Sequence, residues 1–518
     1  MKTEHRAMES GKGFLGWVAR SGNRLPVPAL LFLWLCLFLM GLSALVAAFG
    51  VSVVLPGQAE PVSVRSLLSA EGIRWILTHT VDNFVTFAPV GTVLVAMLGL
   101  GVAEHSGLLK VLLQGLVRRT PRWLLTWVVV LAGILSNLAM DAGYVVLIPL
   151  AALMFAVAGR PPLAGIAAAF AGVSAGYSAN LFLGPVDVIL SGMSTEAVAI
   201  VNPDYRVPVA GNYYFIVAST LLLSVLGAVV TERWVLPHLR AESKEPENAQ
   251  HENGESEARV PPVLTQQERH ALWAVGAWTL VFLVVVLGTT LPEGAPLRDP
   301  AREGLGGMVA IQGVVVLIAL YAAVAGWLFG RLSGQFRDGA AVITAMETTM
   351  STMAGYLVLM FFAAQFVNFF AWSHLGTALA VAGANWLGEL ALPGGFLLVI
   401  FVALAAFINL FIGSASAKWG LLAPVFVPML YLLGLSPEAT QMAFRIGDST
   451  TNIISPLMPY FGVVVAFAQR YKSDLGIGTL MAMMLPYSIA FLLGWSGLLL
   501  VWFWLGWPLG PDAPILLL

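Results

Sequence analysis

Ten runs of apolar residues, each long enough to cross ~30 Å of hydrocarbon as a helix, leave this chain few ways to fold. They lie at 26–55, 84–103, 122–140, 162–183, 212–235, 270–290, 308–330, 357–381, 395–413 and 478–506. Only 10% of residues are charged and 58% are hydrophobic, whereas a soluble domain carries about 25% charge. An all-α integral membrane protein follows, because backbone polar groups in lipid must be satisfied within the segment. Three further apolar stretches, 143–158, 420–435 and 456–468, are too short or too interrupted by Pro and Gly for simple spans. Such segments are expected to form re-entrant hairpins or halves of broken helices.

The first run, Pro26–Leu55, far exceeds the ~7–15-residue core of a signal peptide, so it reads as an uncleaved first span. Arg118, Arg119 and Arg122 cluster in one loop, and Arg233 with Arg240, Arg331 with Arg337, and Arg470 with Lys472 in three others. If these share the cytoplasmic side with the basic N-terminus, the positive-inside rule holds throughout. The C-terminus then lies outside, and the number of crossings is odd. Residues 240–269 are charged, polar and without apolar periodicity, which reads as a hydrophilic cytoplasmic linker. It divides the chain into transmembrane regions 1–239 and 270–518, each with its own hairpin and repeat. No basic patch suited to nucleic acid is present, and the single cysteine, Cys36, excludes an internal disulfide.

Against this background the decamer Gly447–Pro456 (GDSTTNIISP) stands out, being polar and helix-breaking between apolar flanks. Polar groups at such depth are expected only in protein-lined or wet surroundings, and an ionisable one suggests function. The decamer has an echo. Gly447, Ser449, Asn452 and Pro456 parallel Gly176, Ser178, Asn180 and Pro185. Shifting back by nearly the same interval pairs Asn409 with Asn137, and each asparagine opens a polar, small-residue tip. A hairpin tip followed by an unwound helix, twice in the same order, is the pattern of a transporter with repeats and a midplane site.

Asp448 is the strongest single candidate, since a buried carboxylate needs a partner, a proton or a cation. Arg445, one turn upstream, offers an internal ion pair. Alternatively Asp448, Asn452 and Asn409 form an oxygen cage suited to Na⁺ as a coupling or structural ion. Asp187 has no basic neighbour in sequence and reads as a neutral proton carrier. Ser416 and Trp419 at the second tip suit a substrate carboxylate and an aromatic ring, whereas Lys418 is expected to snorkel to the surface. Asp141 belongs to the first tip. Glu347 lies in a stretch expected to form a connecting helix, and Glu104 and His374 are expected in loop or interfacial positions. No metal-spaced His pair and no Ser/His/Asp set supports an enzyme, and no organic cofactor is expected.

The runs Arg445-Ile-Gly447-Asp448 through Pro456, Asn409 through Gly420, Ser136 through Tyr144 and Gly176 through Asp187 resemble the p-aminobenzoyl-glutamate transporter (AbgT) family. The resemblance covers essentially the whole chain. It implies a homodimer in the bacterial inner membrane, with nine transmembrane helices and two re-entrant hairpins per protomer in inverted repeats. It also implies uptake of p-aminobenzoyl-glutamate, or proton-driven export of sulfonamide antimetabolites. Asp187, Asn409, Ser416, Trp419, Pro437, Arg445, Asp448 and Pro456 match the family's important positions, with Pro437 as a helix start. The rival expectation is a Na⁺-coupled importer of p-aminobenzoyl-glutamate or of dicarboxylates.

Overall fold

The computed structural model describes residues 28–54, 61–118, 120–139, 143–242, 264–292, 294–298, 309, 313–455, 458 and 460–517. The basic N-terminus, Asp141, Pro456 and residues 243–263 of the expected linker lie outside these.

In chain order, α1 (Pro28–Ala48) is followed by a two-stranded antiparallel ribbon, β1 (Ser52–Val53) and β2 (Val62–Ser63). Next come α2 (Ala70–Val85), α3 (Ala88–His105) and α4 (Leu108–Arg118). The first hairpin is α5 (Leu125–Ser136), a 3₁₀ turn at Asn137–Ala139, a π turn at Gly143–Leu147, and α6 (Ile148–Val157). Then α7 (Pro162–Phe170) runs into a π turn at Ala171–Ala175, and after a break α8 (Pro185–Val198) resumes. A further span, α9 (Tyr213–Val230), continues through a π turn into α10 (Leu236–Glu242).

The second half contains α11 (Gln266–Thr290), α12 (Val314–Ser333), α13 (Gly339–Thr352), α14 (Ala354–Trp372) and α15 (Leu375–Glu389). Its hairpin is α16 (Gly394–Asn409) and α17 (Ala415–Leu432). α18 (Pro437–Thr451) ends in a 3₁₀ turn at Asn452–Ile454, and α19 (Phe461–Gln469) and α20 (Ile477–Leu505) close the chain.

Among the described residues, eight helices are long and apolar enough to cross a membrane, or nine if α15 and α16, bent by 119° at the break between them, count as one broken span. Two expected spans are shorter than hydropathy suggested. Within 122–140 only α5, 12 residues, is α-helical, and at 1.5 Å per residue it reaches about 18 Å of the ~30 Å needed. It ends at Ser136, and beyond the 3₁₀ turn at Asn137–Ala139 and the π turn at Gly143–Leu147 the chain continues in α6. Within 162–183 the helix stops at Ala175 because Gly176, Asn180 and Gly184 precede Pro185. Conversely 420–435, read as too short, belongs to the full span α17, which carries Pro424 and Pro428 inside it. Element order is similar in the two halves: two helices around a polar tip, then helix, break, helix. The decamer, however, is not unwound from its start, since Gly447–Thr451 is still α-helical.

Hairpin and broken helix pack without a gap where α16 meets α18. A Cβ on Gly447 would collide with the Val402 carbonyl oxygen of α16, so only glycine permits this approach. Gly447→Ala is expected to cost about 1–3 kcal/mol by overpacking, readable as a lowered unfolding temperature in detergent.

Every residue of α18 is buried, although its sequence, PEATQMAFRIGDSTT, is largely polar. A helix so enclosed must find its partners inside the protein. Lipid-facing apolar residues lie elsewhere, for example Leu77, Trp273, Leu280 and Trp504, all well exposed. Glu347 falls on the connecting helix α13, and His374 opens α15 from a left-handed turn, both as expected.

Candidate functional site

Ser436 caps α18 by accepting the Ala439 N–H at 3.1 Å, and Pro437 takes the first helical position, where its missing N–H costs nothing. From there Glu438, Gln441, Arg445, Asp448 and Asn452 follow at alternating spacings of three and four, along one stripe of the helix. Four of the five reach residues of the first half. The Tyr205 hydroxyl donates to Glu438 at 3.0 Å, and Gln441 donates to the Ser194 hydroxyl at 3.1 Å. Arg445 Nη1 donates to Asp187 Oδ1 at 2.7 Å and Nη2 to the Ser178 carbonyl at 3.0 Å. Asn452 donates to the Ser174 carbonyl at 3.3 Å.

Two expectations about charge pairing are therefore corrected. Arg445 pairs across the halves with Asp187, not along its own helix with Asp448. Asp187 is not left without a basic neighbour: its Oδ1 holds Arg445, and its Oδ2 accepts the Gly184 N–H at 2.7 Å, capping α8. Both of its oxygens are engaged as acceptors.

Lys418 is a third correction. It does not snorkel; its side chain is 1% exposed and its ammonium is bonded to Asp448 Oδ1 and to Asn409 Oδ1. The oxygens expected to surround a cation do converge, but the cation among them is the lysine. Asn409 completes the cluster, with its Nδ2 at 2.6 Å from the Asp448 carbonyl, 2.8 Å from Thr451 Oγ1 and 2.9 Å from Asn452 Oδ1. Asn409 ends α16, Lys418 lies in the first turns of α17, and Asp448 is on α18. The cluster thus ties both arms of the second hairpin to the helix that follows.

Trp419 is fully buried. Its ring lies 4.6 Å from Phe444 and 6.5 Å from Phe401, and its Nε1 donates to Ser194 at 3.0 Å. The ring expected to stack on a substrate is covered by protein in this conformation. Ser416 is half-buried, with its hydroxyl 3.3 Å from that of Ser414, the cap of α17.

In the first half, Asn137 caps α5 by donating to Ile134 O at 3.1 Å, and Asn180 donates to the same carbonyl at 3.2 Å. Asn180 Oδ1 accepts the Leu181 N–H at 2.9 Å, closing the turn between α7 and α8. Ser178 is buried and contributes its carbonyl to Arg445.

Two buried groups beside the ion pairs keep unused hydrogen-bonding capacity: Arg445 Nε and the Ser449 hydroxyl, one turn apart on α18. A spare guanidinium donor next to a spare hydroxyl suits an anionic oxygen of a ligand. Sequence reading passed over Ser449, Glu438, Gln441 and Ser194. The signal for Glu438 and Lys418 was present, because they are the only charges from Leu390 to Phe444.

The chain matches the model of the AbgT putative transporter family over residues 13–517. It is 38% identical over 504 residues to the p-aminobenzoyl-glutamate transport protein of Escherichia coli (strain K12), covering 97% of each chain. The Alcanivorax borkumensis YdaH transporter superposes with a TM-score of 0.88 at 54% identity, over 94% of this chain and 100% of that one. Neisseria gonorrhoeae MtrF, described among a class of antimetabolite efflux pumps, superposes with a TM-score of 0.90 at 46% identity, over 97% of this chain and 100% of that one. A family model over nearly the whole chain and relatives named as transporters make the protein a multi-pass membrane transporter, not an enzyme, and a member of the AbgT family.

Proposed function

We propose that the protein exports p-aminobenzoate-like compounds, p-aminobenzoyl-glutamate and sulfonamide antimetabolites among them, across the bacterial inner membrane in exchange for protons. It works as a homodimer, as the family resemblance implies. The observation that carries this reading is the pair of buried ion pairs on α18, Lys418–Asp448 and Arg445–Asp187. Charges at this depth are costly and mark substrate or ion paths, and each pair joins a re-entrant or broken element to another.

The substrate's anionic oxygens meet Arg445 Nε and the Ser449 hydroxyl, which have no partner among the described residues. Trp419 receives the aromatic ring once α17 moves away from Phe444. Protons are favoured over Na⁺ because the Lys418 ammonium already stands among the oxygens of Asn409 and Asp448. Export is supported by the likeness to MtrF. The alternative, a Na⁺-coupled importer, draws on the three oxygens around Asn409 Nδ2.

The test is accumulation of a radiolabelled sulfonamide in cells expressing the protein, with and without a protonophore, and with Na⁺ replaced by choline. Lower accumulation than in empty-vector cells, abolished by the protonophore and indifferent to Na⁺, is expected. Equal accumulation in both strains would refute export. Sensitivity to Na⁺ with indifference to the protonophore would favour the importer.

A further inference from the structure

The first turn of α18 carries a buried acid that neither ion pair uses. Glu438 is 0% exposed. One of its oxygens accepts the Tyr205 hydroxyl at 3.0 Å, and the other, Oε1, has no hydrogen-bond partner. Among the described residues no cation pairs with it. The groups facing it are Tyr205 and, behind that ring at 5.7 Å, Tyr431 of α17, whose hydroxyl accepts from Asn202 at 2.7 Å. Arg206 points away, donating to the carbonyls of Pro203 at 2.6 Å and Tyr205 at 3.1 Å. The Ser436 side chain and the backbone N–H of Glu438 also face the carboxyl; an ionised carboxylate enclosed among neutral groups alone is far costlier than the same group carrying a proton.

Its place in the fold sets this acid under a loop. Asn212 donates to Gln441, one turn below Glu438, and the Phe215 N–H donates to Leu509 O at 3.0 Å. These contacts put the start of α18 beside the Tyr213 end of α9, the end opposite Arg233 and Arg240 on one continuous span. The covering segment, Val201–Asn212, is mostly loop and presses its backbone directly on the acid. A Cβ on Gly211 would lie 2.9 Å from Glu438 Cγ. From Glu438 the polar stripe continues through Gln441 and Ser194 to Trp419, and two turns further to Arg445.

We propose that Glu438 is the proton-handling gate at the end of the transport path remote from the basic clusters. This rests on the proton-coupled reading above. With the gate closed, as here, Glu438 carries a proton taken from hydronium on that side, leaving water, and Val201–Asn212 packs over it. Opening transfers that proton to water, and the carboxylate so formed is hydrated only when the loop lifts. Closure therefore requires a proton, so the pH on that side sets how readily the loop closes.

The experiment uses the full chain in proteoliposomes with radiolabelled p-aminobenzoyl-glutamate, reading flux driven by a pH gradient and counterflow exchange at equal pH. Glu438→Gln keeps the shape and the acceptor for Tyr205. It is expected to lose gradient-driven flux by about tenfold or more, as when a positioned proton-transfer group is removed. Counterflow should persist and lose its dependence on pH, and Glu438→Asp should recover part of the driven flux. Driven flux in Glu438→Gln equal to wild type, with the same pH profile, would overturn the proposal. So would loss of both modes that aspartate does not restore, since the carboxyl would then be structural. Wild-type flux indifferent to the gradient would overturn proton coupling itself, whereas proton-driven flux in both proteins would overturn the gate alone.

Discussion

Lys418→Met is expected to destabilise the protein by about 3–5 kcal/mol and to abolish transport. The substitution keeps the length of the side chain but removes the ammonium from Asp448 and Asn409, leaving a carboxylate that is 1% exposed without its cation. Breaking one side of a buried pair strands the other charge, which costs more than the pair itself contributes. The double variant Lys418→Met/Asp448→Leu removes both charges and is expected to recover most of the stability without recovering transport. Thermal unfolding in detergent, read alongside flux, separates the two effects. Recovery of flux in the double variant would show that the pair only holds the hairpin in place.

The second large effect is expected at the pair that crosses the two halves. Asp187→Asn keeps an acceptor for the Gly184 N–H, so the cap of α8 survives, but Arg445 loses its counter-charge. Arg445→Met leaves Asp187 with the cap alone and the Ser178 carbonyl without its donor. Each single variant is expected to lose about 3–5 kcal/mol. A double-mutant cycle on unfolding free energies is expected to give a coupling of about 1–3 kcal/mol. Additive losses would mean that the two groups do not act as a unit. Because this pair ties α8 to α18, any motion of one half against the other has to accommodate it, so flux should fall in both single variants.

Much of the architecture was legible because lipid leaves so few solutions. Long apolar runs had to be helices, and the echo of Gly447–Pro456 in Gly176–Pro185 pointed to two hairpins, each followed by a break. Asn409 beside Asp448 was readable too, whereas Pro437 as a helix start came only from the family resemblance. Hydropathy misjudged α5 and α17 for a shared reason: it measures how greasy a stretch is, not where the chain turns back. Partner choice was the larger failure. Sequence neighbours suggested Arg445 for Asp448 and nothing for Asp187, because pairing was judged along the chain. The actual partners come from different halves or from across a hairpin tip, and only packing brings them together. Lys418 was misread by the habit of long basic side chains to snorkel; beside a buried Asp448, the cost of an unpaired carboxylate outweighs that habit. Ser449 and Glu438 were hidden in plain view, since nothing local shows which hydroxyl or acid will lack a partner.

The central claim is that a proton, and not Na⁺, moves against the substrate through a centre whose resident cation is Lys418. Its most direct test is a pH-sensitive dye trapped in proteoliposomes, followed as p-aminobenzoyl-glutamate is added outside in Na⁺-free buffer. Substrate-dependent proton movement is predicted for the wild type, unchanged when Na⁺ is supplied and absent in Lys418→Met. Substrate flux without proton movement, or flux that appears only with Na⁺, would contradict it.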